Sequence, residues 1–162
     1  MKRLGKALRF DNAEVDDLLD TQYGQKRTFV TLALLYRTVN FEREFHVDHV
    51  FPQSLFSKKK LLAAGVAETE VEEYRERMNG LPNLQLLPGL VNVQKQDMMP
   101  MRWLESQLPA SPGGGVDQGS LHGYLTAHDM GELPEAMTGF DSFYEKRRTR
   151  MEKRLRQLLG GD

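Results

Sequence analysis

Two short apolar segments, at 45–51 and 83–87, constrain the fold of this chain more than any other feature. Turn-forming residues follow each of them, Pro52 after the first and Pro88 and Gly89 after the second. Segments of this length and composition are typical of β-strands. The rest of the chain is dominated by helical periodicity. We therefore predict an α+β fold, mostly helical, in which a very small sheet lies among helices.

A set of polar residues lies within these two predicted strands and in the segment after the second. Its members are Asp48, His49, Asn83, Asn92 and Lys95. Hydrolysis of a phosphodiester requires a general base for the attacking water and a cation that neutralises charge on the phosphate. The order of these residues therefore indicates a phosphodiesterase site with one divalent cation as cofactor.

Each residue type suits one part of that reaction. His49 can be the general base, because an imidazole with an unperturbed pKa of about 6.5 is largely neutral at cellular pH. Asp48 and Asn92 offer only oxygen atoms, which are the ligands that Mg²⁺ and Mn²⁺ prefer. Lys95 lies one helical turn after Asn92 and can reach a phosphate oxygen. His46 shares a strand face with Asp48, so it is a candidate contact to phosphate or metal.

Neighbouring residues of a regular strand face opposite sides, which is a constraint on the Asp48–His49 pair. If both side chains serve one site, the strand must twist, bulge or end there. Pro52 is consistent with an end, because proline cannot continue the ladder of a central strand.

The order of these motifs resembles that of the HNH, or ββα-metal, endonucleases. Three stretches of sequence resemble, more narrowly, the C-terminal nuclease half of GmrSD-like bacterial defence proteins. They are His46-Val-Asp-His-Val-Phe-Pro, Asn83-Leu-Gln-Leu-Leu-Pro-Gly and Lys95-Gln-Asp-Met-Met-Pro-Met-Arg-Trp. The resemblance extends from about Leu18 to Leu159, and it implies a ββα-metal core whose metal-holding helix covers residues 90–97.

The resemblance also implies an activity and a partner. Asn83 would brace the loop against the catalytic His49 rather than bind the metal. The domain would cut DNA with a divalent cation, leave 5′-phosphates and restrict phage DNA. In that family a ParB-like, NTP-handling domain precedes the nuclease. A sensor domain of this kind is therefore the expected partner, in cis or in trans, and the chain would be the C-terminal part of a longer protein.

Two other functions use the same residues. A catalytically idle DNA-binding or interaction module would retain the fold, although a decayed site is expected to lose at least one of Asp48, His49, Asn83 and Asn92. An RNA-cutting toxin would share every residue. Only tests with different substrates separate it from a DNA endonuclease.

Composition limits how the chain can bind nucleic acid. Its 162 residues suit one domain with a buried core. The formal net charge is −1, so contact with DNA must come from a local patch. The absence of cysteine excludes disulfides and Cys-rich zinc knuckles. No signal peptide or long apolar span is found, and a cytoplasmic location is expected.

The N-terminal part, 1–44, is predicted to contain two helices. The first covers 11–23, with Asp11 or Asn12 as its N-cap. The second covers 28–38 and is nearly apolar all round, so we expect it to be central.

The ββα-metal region, 45–99, carries a helical insertion at 57–80 that we expect only to decorate the core. Ser57 is predicted to cap a short helix that stops at Gly65. Thr69-Glu-Val-Glu has the spacing of a capping box for a second helix.

The C-terminal part, 100–162, is also predicted to be helical. Pro100 suits the first position of a helix at 101–108, in which Trp103 is expected in the core. The glycine-rich stretch 111–120 is predicted to be a surface loop.

A closing helix at 140–159 concentrates the positive charge of the chain. Arg147, Arg148, Arg150 and Arg154 are candidate DNA-binding residues on its basic face.

Overall fold

The computed structural model of the chain describes residues 11–36, 44–88, 97–107 and 121–160. Its helices are α1 (Asn12–Leu19), α2 (Lys26–Leu35), α3 (Lys58–Ala63), α4 (Val71–Arg77), α5 (Pro100–Gln107), α6 (Leu121–Ala127) and α7 (Phe140–Leu158). Its strands are β1 (Phe45–His49) and β2 (Leu84–Pro88). Short 3₁₀ turns cover Gln53–Phe56, Glu68–Glu70, Leu81–Asn83 and Met137–Gly139.

The two strands form a small antiparallel sheet among these helices, which confirms the predicted mostly helical α+β class. The register places His49 opposite Leu84 and Asp48 opposite Gln85, and the pairing runs residue by residue to the end of β1. The predicted metal-holding helix at 90–97 falls almost wholly outside the described residues.

Helix α1 begins with a reciprocal capping box. The Asp11 carboxylate accepts from the backbone N–H of Glu14 at 2.8 Å, and the Glu14 carboxylate accepts from that of Asp11 at 3.0 Å. The helix ends earlier than predicted, at Leu19. After the helix, Gln22 forms an isolated β-bridge with Gly80, so the chain there no longer follows a helical path.

Helix α2 lies near the predicted position, but it is buried on one face only, although its sequence is nearly apolar all round. Leu32 and Leu35 are buried, whereas Val30 is 63% exposed. The buried side also contains Thr31, whose hydroxyl donates to the carbonyl of Arg27 at 2.7 Å. The helix therefore packs through one face and turns the other to solvent.

The helical insertion begins as predicted. The Ser57 hydroxyl accepts from the backbone N–H of Lys60 at 3.3 Å, and Gly65 follows α3 with a φ of 96°. The predicted capping box at Thr69 and Glu72 is wrong. The chain forms a 3₁₀ turn at Glu68–Glu70 instead, and α4 starts without a side-chain cap.

The insertion also contributes to the main core, so the prediction that it is only decoration is wrong. Its Tyr74 ring, together with those of Phe51 and Phe56, packs around Phe140 of α7 with centroid distances of 4.9 to 5.4 Å. This cluster contains several further buried side chains, among them Leu61, Val66, Val71, Leu87, Trp103, Tyr124 and Met130. Residues 57–80 therefore supply part of the main core.

Helix α7 joins this cluster to a second one. Met151 and Leu155 in its second half pack with Leu19 of α1, Leu32 of α2 and Leu84 of β2. Its observed bounds, Phe140–Leu158, lie within one residue of the predicted 140–159. The sheet is thus held against the one long helix of the described chain.

Helix α5 begins at Pro100, as predicted, and Trp103 is 1% exposed, which confirms its predicted place in the core. The predicted loop at 111–120 lies outside the described residues. No helix in the described ranges is both long and apolar enough to cross a membrane.

Candidate active site

The candidate site lies at the C-terminal end of β1, where Asp48 and His49 are adjacent. The regular pairing with β2 shows no bulge, so the two side chains leave opposite faces of the strand. His49 is buried, and Asp48 is half-buried. The strand ends at His49, which is one of the outcomes that the sequence allowed.

The His49 imidazole is held by two residues from distant parts of the chain. Its Nε2 lies 2.9 Å from the side-chain oxygen of Asn79, which follows α4. The Tyr23 ring packs against the imidazole with a centroid distance of 4.5 Å and an angle of 47°. The Asn79 oxygen also accepts from Nε2 of Gln53 at 3.0 Å. His49 is therefore fixed both in position and in ring orientation.

Asn83 is fully buried and satisfies both ends of its side-chain amide. Its oxygen accepts from the backbone N–H of Phe51 at 2.9 Å, and its nitrogen donates to the carbonyls of Phe51 at 3.1 Å and Met78 at 2.8 Å. Its backbone carbonyl accepts from Val50 at 2.7 Å. Asn83 thus ties the segment after His49 to the end of the helical insertion.

The Asp48 carboxylate is linked by hydrogen bonds to Gln85 and, through Gln85, to Tyr124. Gln85 on the neighbouring strand donates from Nε2 to the Asp48 carboxylate at 3.4 Å, and its oxygen accepts from the Tyr124 hydroxyl at 2.6 Å. Burial raises the pKa of Tyr124 above its usual value, so the hydroxyl stays protonated and donates. The Tyr124 ring stacks on His128 at 4.2 Å. This chain orients one Asp48 oxygen.

Of the two predicted metal ligands, Asp48 is the one that lies within the described residues. Its carboxylate supplies hard oxygen atoms, which suit Mg²⁺ or Mn²⁺. The other predicted ligand, Asn92, and the predicted phosphate contact, Lys95, lie outside the described residues. Within the described ranges, no three His, Cys, Asp or Glu side chains are grouped closely enough to hold a metal ion.

His46 lies at the edge of an open cavity of about 350 Å³, which Tyr23 and Lys26 also line. Its Nε2 is 3.6 Å from the Glu44 carboxylate, and its side chain is largely exposed. Because Tyr23 also packs on His49, this cavity adjoins the candidate base.

Arg147 does not belong to the exposed basic face, and its predicted role in DNA binding is corrected. The side chain is fully buried. Its Nε donates to the carbonyl of His128 at 3.2 Å, and its Nη1 donates to those of Pro82 at 2.9 Å and Leu84 at 2.7 Å. The burial of Arg147 could have been predicted from helical spacing, because residue 147 shares a helix face with the apolar positions 143 and 151.

Two further predicted DNA-binding arginines are already paired with carboxylates. Arg148 lies 3.1 Å from Asp20, and Arg154 makes a two-pronged contact with Asp129 at 2.7 and 2.9 Å. Such pairs would have to break before these arginines could bind phosphate.

The unpaired positive charge of α7 forms a different stripe. Arg150, which was predicted, is exposed, and so are Lys146 and Lys153. None of the three has a carboxylate within ion-pair distance among the described residues. They are spaced one turn apart, so they share a face. Lys146 and Arg150 border a cavity of about 480 Å³.

Sequence reasoning missed Asn79, Tyr23 and Gln85. Asn79 is followed by Gly80, a pair that signals a turn but indicates no partner. Gln85 lies inside an apolar strand, and only its register reveals that it faces Asp48.

Comparison with known proteins assigns no family to the chain. No protein-family model matches it, and no curated protein matches it either. The functional argument therefore rests on the residues of the chain itself.

Proposed function

We propose that this chain is a divalent-metal-dependent endonuclease domain that hydrolyses phosphodiester bonds in DNA, with His49 as general base. The observation that carries the proposal is that three predicted residues lie at the same end of the sheet, with Asp48 and His49 on opposite faces of β1. Asp48 and His49 are adjacent in β1, and Asn83 is hydrogen-bonded to the segment that follows them. Fixed geometry of this kind is what general-base catalysis requires.

The chain supplies a base held in a defined orientation. The imidazole of His49 is buried between Tyr23 and Asn79, so little freedom is lost when a water molecule binds beside it. Asn83 keeps the backbone after His49 from moving relative to the helical insertion. His49 would take a proton from the attacking water.

The proposed cofactor fits the donor chemistry of the site. Asp48 would hold Mg²⁺ or Mn²⁺ through a carboxylate oxygen, and Asn92 is the proposed second ligand. When bound, the cation supplies positive charge that stabilises the scissile phosphate and the leaving oxygen. Gln85 orients the carboxylate from behind, as outer partners of metal ligands commonly do.

We propose that the DNA strand is bound by basic side chains from separate parts of the chain. His46 and Lys26 border the cavity beside His49, and Lys146, Arg150 and Lys153 form the unpaired stripe on α7. Contacts to phosphate position a strand without specifying its sequence. We therefore assign selectivity to a ParB-like, NTP-handling sensor domain, in cis or in trans, in bacterial defence against phage.

Cleavage of supercoiled plasmid, with and without Mg²⁺ or Mn²⁺, tests this function. His49→Ala is expected to lower the rate by roughly 10²–10⁴-fold, as for the loss of a general base. The matched control is His122→Ala, which removes an exposed histidine of α6. A folded wild-type protein that binds plasmid but does not cut it with either cation would support the idle module. Cleavage of RNA but not of DNA would support the toxin.

A further inference from the structure

We infer that Tyr23 is a stacking surface for one unpaired base of the DNA strand, so that the candidate site takes single-stranded or locally opened DNA rather than a fully paired duplex. The inference deepens the proposed function and rests on it for the cleavage step. Stacking itself is a binding event, and it can be measured without a divalent cation.

Tyr23 is an exposed aromatic residue beside the candidate base. Its ring packs against the His49 imidazole with a centroid distance of 4.5 Å, yet 46% of the residue remains exposed. The residue also lines the open cavity of about 350 Å³, a volume within the range of roughly 300–1,000 Å³ that is usual for small-ligand sites. Tyr23 is therefore supported by protein on the His49 side and offers apolar ring surface to a ligand in the cavity.

The loop that carries Tyr23 is fixed by hydrogen bonds. The backbone N–H of Tyr23 donates to the carbonyl of Asn79 at 2.8 Å, and the preceding Gln22 forms an isolated bridge with Gly80. The backbone N–H of Gln22 also donates to the side-chain oxygen of Gln25 at 3.1 Å. Because the loop is held in this way, little backbone freedom is lost when a base stacks on the ring.

A positively charged side chain borders the same cavity. Lys26 begins α2, three residues after Tyr23, and it is exposed. Within the described ranges, no carboxylate lies within ion-pair distance of its ammonium group. His46 lines the cavity too, but its Nε2 is 3.6 Å from the Glu44 carboxylate. An aromatic ring and a lysine in one cavity suit a nucleotide, which offers a base to the ring and a phosphate to the ammonium group.

Stacking on Tyr23 requires a base whose face is uncovered. In a duplex each base is stacked between its neighbours, so it must first leave the helix at a cost in free energy. The formal net charge of the chain is −1, so general attraction to the phosphate backbone offsets little of that cost. A strand that is already unpaired avoids it. The stacked nucleotide would then lie close to the phosphate at which His49 acts, because Tyr23 packs directly on His49.

Binding of a short DNA oligonucleotide in the presence of EDTA tests the stacking. The probe carries a fluorescent purine analogue whose emission is quenched by stacking, and it is used as a single strand or paired with its complement. The single strand is expected to bind more tightly than the duplex and to be quenched. Tyr23→Leu keeps an apolar side chain against His49 but has no aromatic face, and it should weaken single-strand binding by roughly 5–150-fold. Tyr23→Trp should retain the binding.

Val30→Ala is the matched control, because it shortens an exposed apolar side chain of α2 that does not line the cavity. It should bind the single strand as the wild type does. Unquenched probe with the wild type, or equal single-strand affinity in the wild type and folded Tyr23→Leu, would overturn the inference. Binding of single-stranded RNA but not of DNA would also overturn it and would support the RNA-cutting toxin.

Cleavage of a duplex with a short mismatched centre, in Mg²⁺ or Mn²⁺, tests the role in substrate choice. The wild type is expected to cut beside the unpaired bases faster than it cuts a fully paired duplex of the same length. Tyr23→Leu should lose this preference mainly through a higher KM. An unchanged preference in folded Tyr23→Leu would contradict the inference. A wild type that binds and quenches the probe but cuts neither duplex would instead overturn the proposed function and leave the stacking site established.

Discussion

Arg147 donates through Nη1 to the carbonyl of Leu84 at 2.7 Å, and Leu84 lies opposite His49 in the sheet. The same nitrogen donates to the carbonyl of Pro82 at 2.9 Å. These two acceptors flank Asn83, the residue that ties the segment after His49 to the helical insertion. Helix α7 therefore fixes the backbone on both sides of Asn83.

Arg147→Met is expected to lower the free energy of unfolding by about 3–5 kcal/mol, because buried carbonyls lose charged hydrogen bonds. Methionine keeps most of the side-chain length, so lost packing contributes less. Urea unfolding at neutral pH measures the change. Arg150→Met, on the exposed side of the same helix, is the control and should stay within about 0.5 kcal/mol of the wild type. Equal losses in the two variants would contradict the proposal that Arg147 acts as a clamp, that is, that its hydrogen bonds to Pro82 and Leu84 hold the backbone on both sides of Asn83.

Protonation of His128 should destabilise the fold in acid. Burial, with a further contribution from Arg147, lowers the pKa of His128 to about 4, against an ordinary value of about 6.5. Below about pH 6.5 the unfolded chain binds a proton that the folded chain does not, so stability is present above that pH and is lost as pH falls toward 4. At pH 4 this loss is about 3 kcal/mol.

His128→Phe tests that pH dependence, because phenylalanine can preserve the stacking on Tyr124 without titrating. Urea unfolding at about pH 7 and pH 5 should show the variant gaining stability relative to the wild type in acid. His122→Gln, at an exposed position of α6, should follow the wild-type curve. Parallel curves for all three proteins would show that His128 is not the group responsible.

Cation binding should depend on Asp48 and on the chain behind it. Asp48→Ala and Asn92→Ala should each weaken the binding of Mn²⁺ or Mg²⁺ in calorimetry, because each removes a protein oxygen. Tyr124→Phe should weaken it by roughly 10-fold, since Gln85 then loses the donor that orients it. Asp16→Ala, on exposed α1, is the control. Unchanged affinity in the first two variants would remove both residues from the proposed metal site.

DNA binding should depend on unpaired rather than paired cations of α7. One variant replaces Lys146, Arg150 and Lys153 with glutamine. The control, matched in net charge, replaces Arg148, Arg154 and Arg156, which contact carboxylates. In the first variant, loss of phosphate contacts should reduce the slope of log affinity against log salt concentration by up to about 3 in magnitude. The reduction should be smaller in the control. Equal slopes would show that net charge, not the stripe, attracts DNA.

The sequence predicted the parts of the candidate site that depend on local pattern. It predicted two strands, at 45–51 and 83–87, and the structure has them at Phe45–His49 and Leu84–Pro88. Asn83 was predicted to open the second strand, but it lies in the 3₁₀ turn before it. The contacts of Asn79 and Tyr23 with His49 could not be predicted in this way. They join segments that are distant in the chain, and they depend on how the insertion packs on the sheet.

Arg147 shows a different kind of error. Its charge suggested a place on the surface, while its phase in the helix matched the buried positions of Phe143 and Met151. The buried guanidinium donates from Nε and Nη1 to three main-chain carbonyls, and the positions of those carbonyls follow from tertiary structure. The failed capping box at Thr69 has a similar origin, since the turn before α4 follows the packing of the insertion.

The dependence of β2 on α7 also has a consequence for synthesis on the ribosome. Translation proceeds from the N terminus, and Arg147 is made 65 residues after Pro82, whose carbonyl it holds. A nascent chain that already contains Asp48, His49 and Asn83 lacks the clamp that fixes the start of β2. We therefore expect the start of β2, which pairs with His49, to be held in its final position only after α7 has emerged and docked.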